Sequence, residues 1–297
     1  MSLSESGNLS NLSRTTSADD VKAEVFSSLS VEEMEAVAKR LRRYIISMIG
    51  RAGSGHPGGS LSAVEIVTAL YFRVLRHKPQ APGWSDRDRF ILSKGHAAPL
   101  LYATLAECGY FSVDELATLR QLDSCLQGHT DCTVCPGVEM SAGALGQGLS
   151  FSLGVALAGR LNSQNYRVYA LLGDGECDEG QVWEAAMATA HFKVDNLVAI
   201  VDNNGQQIDG WNRDVMNLAP FNEKWQAFGW HVIGVNGHDL TQLIDAFDQA
   251  KLVRGQPVVI IAQTIKGKGV SFMENNPDFH GKAPNAEEMK IALKELE

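Results

Sequence analysis

The stretch ALLGDGECDEGQVWEAA, residues 170–186, passes from a short apolar tract through a turn bearing Asp174, Glu176, Asp178 and Glu179 into a helix-forming segment. A strand, a glycine turn and a helix in that order make one half of a βαβ unit. Gly173, Gly175 and Gly180 superficially follow the dinucleotide pattern G-x-G-x-x-G, but the third glycine comes two positions late. Four carboxylates there would also repel a pyrophosphate seated on the helix start. Negative charge at a helix N-terminus complements the macrodipole, at about 0.3–1 kcal/mol per group. That accounts for Glu176, Asp178 and Glu179. It accounts poorly for Asp174, which closes an apolar strand between two glycines and so faces a ligand.

Working outward, the tracts RFILS (89–93), YRVYALLG (166–173), LVAIVDN (197–203), HVIGVNG (231–237) and PVVIIAQT (257–264) alternate with helical segments. Such alternation predicts an α/β fold, a mostly parallel sheet with helices on both faces, and the lack of polar alternation predicts strands buried on both sides. Ligands of these sheets sit beyond the carboxyl ends of the strands. The segments to inspect are therefore KGHAAP, DGECDEG, NNGQQIDG, GHD and IKGKG.

Residues 1–29 are rich in Ser and Asn with little to bury and read as a disordered leader, with one domain spanning 30–297. Ser30 and Glu33 are spaced as a capping box for a helix that Gly50 would end, and Ser62 and Glu65 could cap a second helix after the glycine-rich RAGSGHPGGS. Across 297 residues, 44% are hydrophobic and the net charge is -9, as in a soluble globular protein. With 26 Lys and Arg against 35 Asp and Glu and no basic cluster, the composition excludes a nucleic-acid surface, which needs a positive stripe. No apolar run is long enough for a membrane span, and no secretory region opens the chain, so a cytoplasmic location is expected. Five cysteines fit a reducing compartment rather than a disulfide framework. Cys132 and Cys135 form a C-x-x-C, but with Cys125 and His129 they make an irregular set that reads as a surface loop rather than a zinc site.

A divalent cation resolves the charge conflict at Asp174 by standing between carboxylate and diphosphate; magnesium takes few protein oxygens and fills its octahedron with phosphate and water. Asn204 closes the next apolar tract thirty residues after Asp174. One helix and one returning strand fill that interval, so a crossover brings both ends to one edge.

GDG followed by that Asn resembles the thiamin diphosphate motif. SGHPGGSLSAVEI, DRFILSKGHAAPLLYA, SAGALGQGLSFSLGVALA, GDGECDEGQVWEAA, VDNNGQQIDG and TIKGKGVSFMENNPDFHGK, in that order, resemble transketolase from about residue 30 onward. The resemblance implies thiamin diphosphate and Mg2+, or another divalent cation such as Ca2+ or Mn2+. Asp174 and Asn204 would ligate the metal by side-chain oxygens and Gln206 by its carbonyl. It implies cofactor contacts from His96, Gly143, Ala144, Leu145, Gly175, Glu176, Asn204, Lys266 and His280. His56, His129 and His280 would serve catalysis at the sugar, and each of these histidines stands in a glycine-flanked loop. His77, His191, His231 and His238 read as structural, and Lys268 as solvated. Glu179 matches an acid at the interface with a pyrimidine-binding domain, or simply charges a helix start.

In the family that second domain polarises the cofactor and is expected beyond residue 300. The resemblance thus implies the diphosphate-binding subunit of a split transketolase, partnered by a separate pyrimidine-domain chain, with two copies of each and sugar or sugar-phosphate substrates. The alternatives are a deoxyxylulose phosphate synthase-like enzyme and a non-catalytic thiamin diphosphate-binding subunit.

Overall fold

The computed structural model describes residues 29–297. The expected leader lies outside the described residues except Leu29, which packs against the core. Helix α1, Val31–Ala52, begins with the predicted capping box: Glu33 donates its N–H to Ser30 Oγ at 3.2 Å, and Ser30 donates its own to the Glu33 carboxylate at 2.7 Å. The stop expected at Gly50 falls instead at Gly53, which takes a left-handed φ of 65° and donates its N–H to the Ile49 carbonyl. Gly50 serves packing: a Cβ there would stand 2.4 Å from Met289 Sδ. The expected Ser62–Glu65 cap is also corrected. The chain forms two short helices, α2 (Pro57–Ser62) and α3 (Val64–Ala69), neither with a side-chain cap. Ser62 donates to Asp202 at 2.5 Å and Glu65 pairs with Arg42, so tertiary partners claim both side chains.

The strands are β1 (Arg89–Leu92), β2 (Val168–Gly173), β3 (Leu197–Asn203), a two-residue antiparallel pair β4 (Gln206–Gln207) and β5 (Gly210–Trp211), β6 (His231–Asn236) and β7 (Val258–Gln263). The main sheet is parallel throughout, in the order β1-β2-β3-β7-β6. Side chains of a strand alternate between faces. Thus Leu92, Tyr169, Leu171, Ile200 and Ile260 enter one apolar core, and Ile91, Ala170, Leu172, Val201 and Ile261 enter another. The first core is closed by α1, α3, α4 (Ala98–Cys108) and α9 (Leu240–Leu252). The second is closed by α5 (Gln147–Leu161), α6 (Gly180–His191) and α8 (Phe221–Ala227), with the single-turn α7 (Asn212–Val215) preceding α8. A last helix, α10 (Ala286–Glu295), carries Met289 to Gly50.

Two layers of helix explain the uninterrupted apolar tracts of β2 and β3. β6 departs from the expected double burial. It pairs only with β7 at the sheet edge, and His231, Gly234 and Asn236 are exposed. On the second face, α5 turns outward Phe151, Gly154, Ala158 and Leu161, spaced three and four apart, and α6 turns outward Met187 and His191, followed by Phe192. In register, Gly173 pairs with Asp202 and Asn203 with Gln263, so Asp174, Asn204 and Thr264 leave the sheet side by side.

Candidate active site

Asp174, 1% exposed, is fixed by the two turns it bridges: Oδ1 accepts the N–H of Gly175 at 2.9 Å and Oδ2 that of Gly205 at 2.5 Å. Burial, then the negative charge of Asp202, pushes its carboxyl up to about 7 against those two donors. Such a carboxylate gains from a cation. Asn204 Oδ1 accepts the Gln206 N–H at 3.1 Å, and its amide donates to Asp202 at 3.2 Å, so the side chain is held at both ends. The Gln206 carbonyl faces Lys266 Nζ at 3.5 Å. One carboxylate, one amide oxygen and one carbonyl therefore meet at the same wall, a donor set suited to a hard cation completed by phosphate oxygens.

Asp202 is the buried hub behind them. It accepts from Lys94, Ser62, Thr264 and Asn204, and although burial would raise its carboxyl, the Lys94 ammonium holds it below the usual range. Lys94, also buried, donates its remaining reach to the Gly59 carbonyl at 2.9 Å. Sequence reading missed this pair. The available signal was a lysine directly after a buried strand, which needs a carboxylate partner.

Four imidazoles converge above this wall. The His56 ring centroid lies 5.5 Å from that of His96, 5.8 Å from His129 and 5.6 Å from His280, with His96 and His280 5.3 Å apart. Burial, reinforced by nearby positive charge, holds His56 at about 4 and His280 at about 3, and lowers His96 and His129 as well. Lys266 Nζ approaches His280 Nδ1 at 2.8 Å. A cation cannot accept, so Nδ1 is bare and the proton of His280 sits on Nε2. Burial, then the Lys94 charge, brings Lys266 down to about 8.

The cavity enclosed by these groups measures about 350 Å3. Every site residue expected from sequence lines it except Ala144, which is exposed beside Gly143 and Leu145. Glu176 is no surface helix charge. It is buried and accepts from Ser93 Oγ, from the Gly146 N–H at 2.9 Å and from the Gly173 N–H at 3.0 Å, tying the turn to the start of α5 and the end of β1. Glu179 takes the N-cap position of α6 without a capping bond and stands exposed at the cavity rim. Three of the nine buried polar atoms without a partner among the described residues, His56 Nδ1, Asp178 Oδ1 and Gln206 Oε1, belong to lining residues, which fits a polar ligand. Among the described residues no group of three or more His, Cys, Asp or Glu side chains is arranged to hold a metal; Cys135 is buried and Cys132 exposed.

Residues 33–296 match the family model described as transketolase, thiamine diphosphate binding domain. The chain belongs to the transketolase family. It is 43% identical over 265 residues to the 6-deoxy-6-sulfo-D-fructose transketolase subunit SqwG of Clostridium sp. (strain MSTE9), covering 89% of this chain and 96% of that protein. It is 41% identical over 268 residues to an apulose-4-phosphate transketolase subunit of Phocaeicola vulgatus, covering 90% and 95%. Human transketolase is 44% identical over 255 residues, 85% of this chain but only 40% of its own length. The same proportion holds for solved transketolases. That of Pichia stipitis superposes with a TM-score of 0.85 at 31% identity, covering 90% of this chain and 41% of that one. That of Campylobacter jejuni gives 0.85 at 32%, covering 90% and 43%.

Proposed function

We propose that this chain is the diphosphate-binding subunit of a two-component transketolase, transferring a two-carbon ketol unit from a ketose to an aldose. The observation that carries this is the cavity at the sheet edge, where Asp174, Asn204 and Gln206 meet four neutral histidines. Bound there, thiamin diphosphate supplies a nucleophilic carbon and an electron sink. Asp174, Asn204 and the Gln206 carbonyl hold Mg2+ or a similar divalent cation, whose charge offsets that of the turn. His96 and the Gly175 backbone would hold the diphosphate, and Gly143, Leu145 and Lys266 on the cavity wall would contact the cofactor, whereas Ala144 stands outside that wall.

His56, His129 and His280 bind sugar hydroxyls and move protons. Neutral rings suit this role, since each nitrogen either gives or takes a hydrogen bond without a charge to desolvate. Lys266 at Nδ1 leaves His280 presenting Nε2–H as a donor.

The partner is a separate chain carrying the pyrimidine-binding domain, in two copies of each subunit. Supporting this, the relatives that match this chain over nearly their whole length are named as transketolase subunits, one for a sulfo-sugar and one for apulose 4-phosphate. The outward stripe on α5 and α6 and the rim carboxylate Glu179 provide a surface for that partner. A sugar or sugar phosphate is the substrate class. Five free thiols accord with a cytoplasmic setting. The test is to assay ketol transfer by the purified chain with thiamin diphosphate and Mg2+, with and without the partner. Activity rising with added partner to a one-to-one ratio is expected; full turnover by the chain alone overturns the two-component reading.

A further inference from the structure

The turn that carries Lys266 is fastened at both ends by side chains outside the cavity. Ile265 donates its backbone N–H to Nε2 of His238 at 2.9 Å, and the Lys268 carbonyl accepts Nε–H of Arg42 at 3.0 Å. Both holders end on one buried carboxylate. Glu65 accepts Nη1 and Nη2 of Arg42 at 2.6 and 2.8 Å and Nδ1 of His238 at 3.0 Å. The hydrogen bonds fix the tautomer: Nε2 accepts from a peptide N–H and is bare, so the ring proton sits on Nδ1 and points at Glu65. The pieces come from α1, α3, the loop after β6 and the loop after β7, which no local propensity brings together.

Between the anchored Ile265 N–H and Lys268 carbonyl stands Lys266, reaching His280 at 2.8 Å and the Gln207 carbonyl at 3.4 Å. Gly267 lies in the same turn at φ 80°, with the Met273 carbonyl oxygen 2.2 Å from where a Cβ would be. The turn thus has packing on one side and hydrogen-bonded anchors on the other. A buried ammonium at its tip depends on those anchors, alongside the Gly267 N–H given to the Gly58 carbonyl and the Asn275 N–H received by the Lys266 carbonyl, because a displaced charge loses its partners.

We infer that Glu65, Arg42 and His238 form a clamp that positions Lys266 in the cofactor cavity, with His238 as a positioning residue acting through the Ile265 amide. This rests on the reading of Lys266 as a thiamin diphosphate-pocket lysine. An ion cluster serving stability alone would depend on the charges of Glu65 and Arg42 and be indifferent to which His238 nitrogen is replaced.

The deciding experiment compares His238→Gln, whose side-chain oxygen reaches the place of Nε2, with His238→Asn, whose amide reaches only the place of Nδ1. In the full chain, hydrogen–deuterium exchange across residues 264–269 is expected to stay near wild type in H238Q and to quicken in H238N. Affinity for thiamin diphosphate with Mg2+, read by calorimetry, should follow the same order, with H238N weaker by roughly tenfold, the size of effect seen for groups that orient a ligand's direct partners. Equal exchange in the two variants overturns the clamp. Lys266→Ala separates the clamp from the reading beneath it: unchanged affinity in K266A overturns the cofactor role of Lys266 and the cofactor part of the inference, while the exchange data still decide the contact at Ile265.

Discussion

Asp174 is a carboxylate the fold holds at a cost, with burial and Asp202 both acting against its charge. Asp174→Ala is therefore expected to fold with little change in melting temperature, since the Gly205 and Gly175 N–H groups it leaves behind are offset by the relief of a buried charge. Cation-dependent cofactor binding should vanish, and calorimetry giving wild-type affinity would remove Asp174 from the metal set. The histidines offer a second measurement at this scale. His56, held at about 4, and His280, held at about 3, should keep neutral imidazole NMR signals as pH falls from 7 to 5 in the chain without cofactor, whereas an ordinary histidine near 6.5 would titrate there. Because their folded values are depressed, their contribution to stability is whole above 6.5 and declines as pH drops toward 4. Legibility at this scale followed chemistry. Asp174 announced itself because its charge had no local excuse, whereas Lys94 and Asp202 stayed hidden because each ends a different strand, with β2 between them, and only the sheet order brings them together.

At the scale of elements, the five strands of the main sheet were legible to within a residue or two because two helical layers demand uninterrupted apolar tracts, whereas the two-residue strands β4 and β5 carry no such tract. β6 was misjudged in burial because its apolar composition does not reveal an edge position. Helix ends were harder. Gly50 looked like a terminator and is a packing contact, and Ser62 and Glu65 had capping spacing but were drawn off by Asp202 and Arg42. The start of α5 shows what a glycine can do for an element: a Cβ at Gly148 would lie 2.2 Å from Ser93 Oγ and 2.7 Å from Ser93 Cα. Gly148→Ala should push α5 off the end of β1, lowering stability by about 1–3 kcal/mol in urea unfolding. It should also loosen the Ser93–Glu176–Gly146 ties, so a variant with wild-type stability and cofactor affinity would show that the helix start yields without consequence.

For the whole molecule, the Arg42–Glu65–His238 cluster joins the first helix to the last loops and so sets part of the acid tolerance of the fold. Burial alone would raise Glu65, but the His238 hydrogen bond and the Arg42 guanidinium hold it down to about 2. A depressed carboxyl stabilises fully above its unfolded value near 4.5, and that stability is lost as pH falls through 4.5 toward 2. The linked free energy is on the order of 3 kcal/mol. Urea midpoints measured from pH 6 to 2 should fall steeply for the wild type and less for Glu65→Gln, which has no such proton to gain; parallel curves would assign acid sensitivity elsewhere. The outward stripe of Phe151, Leu161, Met187 and Phe192 acts at the same scale but on how the chain behaves in a tube rather than on how it folds. An apolar band of this kind attracts its own copies, and excluded salts such as sulfate strengthen that attraction. Concentrated alone, the protein should scatter light increasingly with added ammonium sulfate, so co-expression with whatever covers the band, rather than a change of buffer, is the practical route to a well-behaved sample.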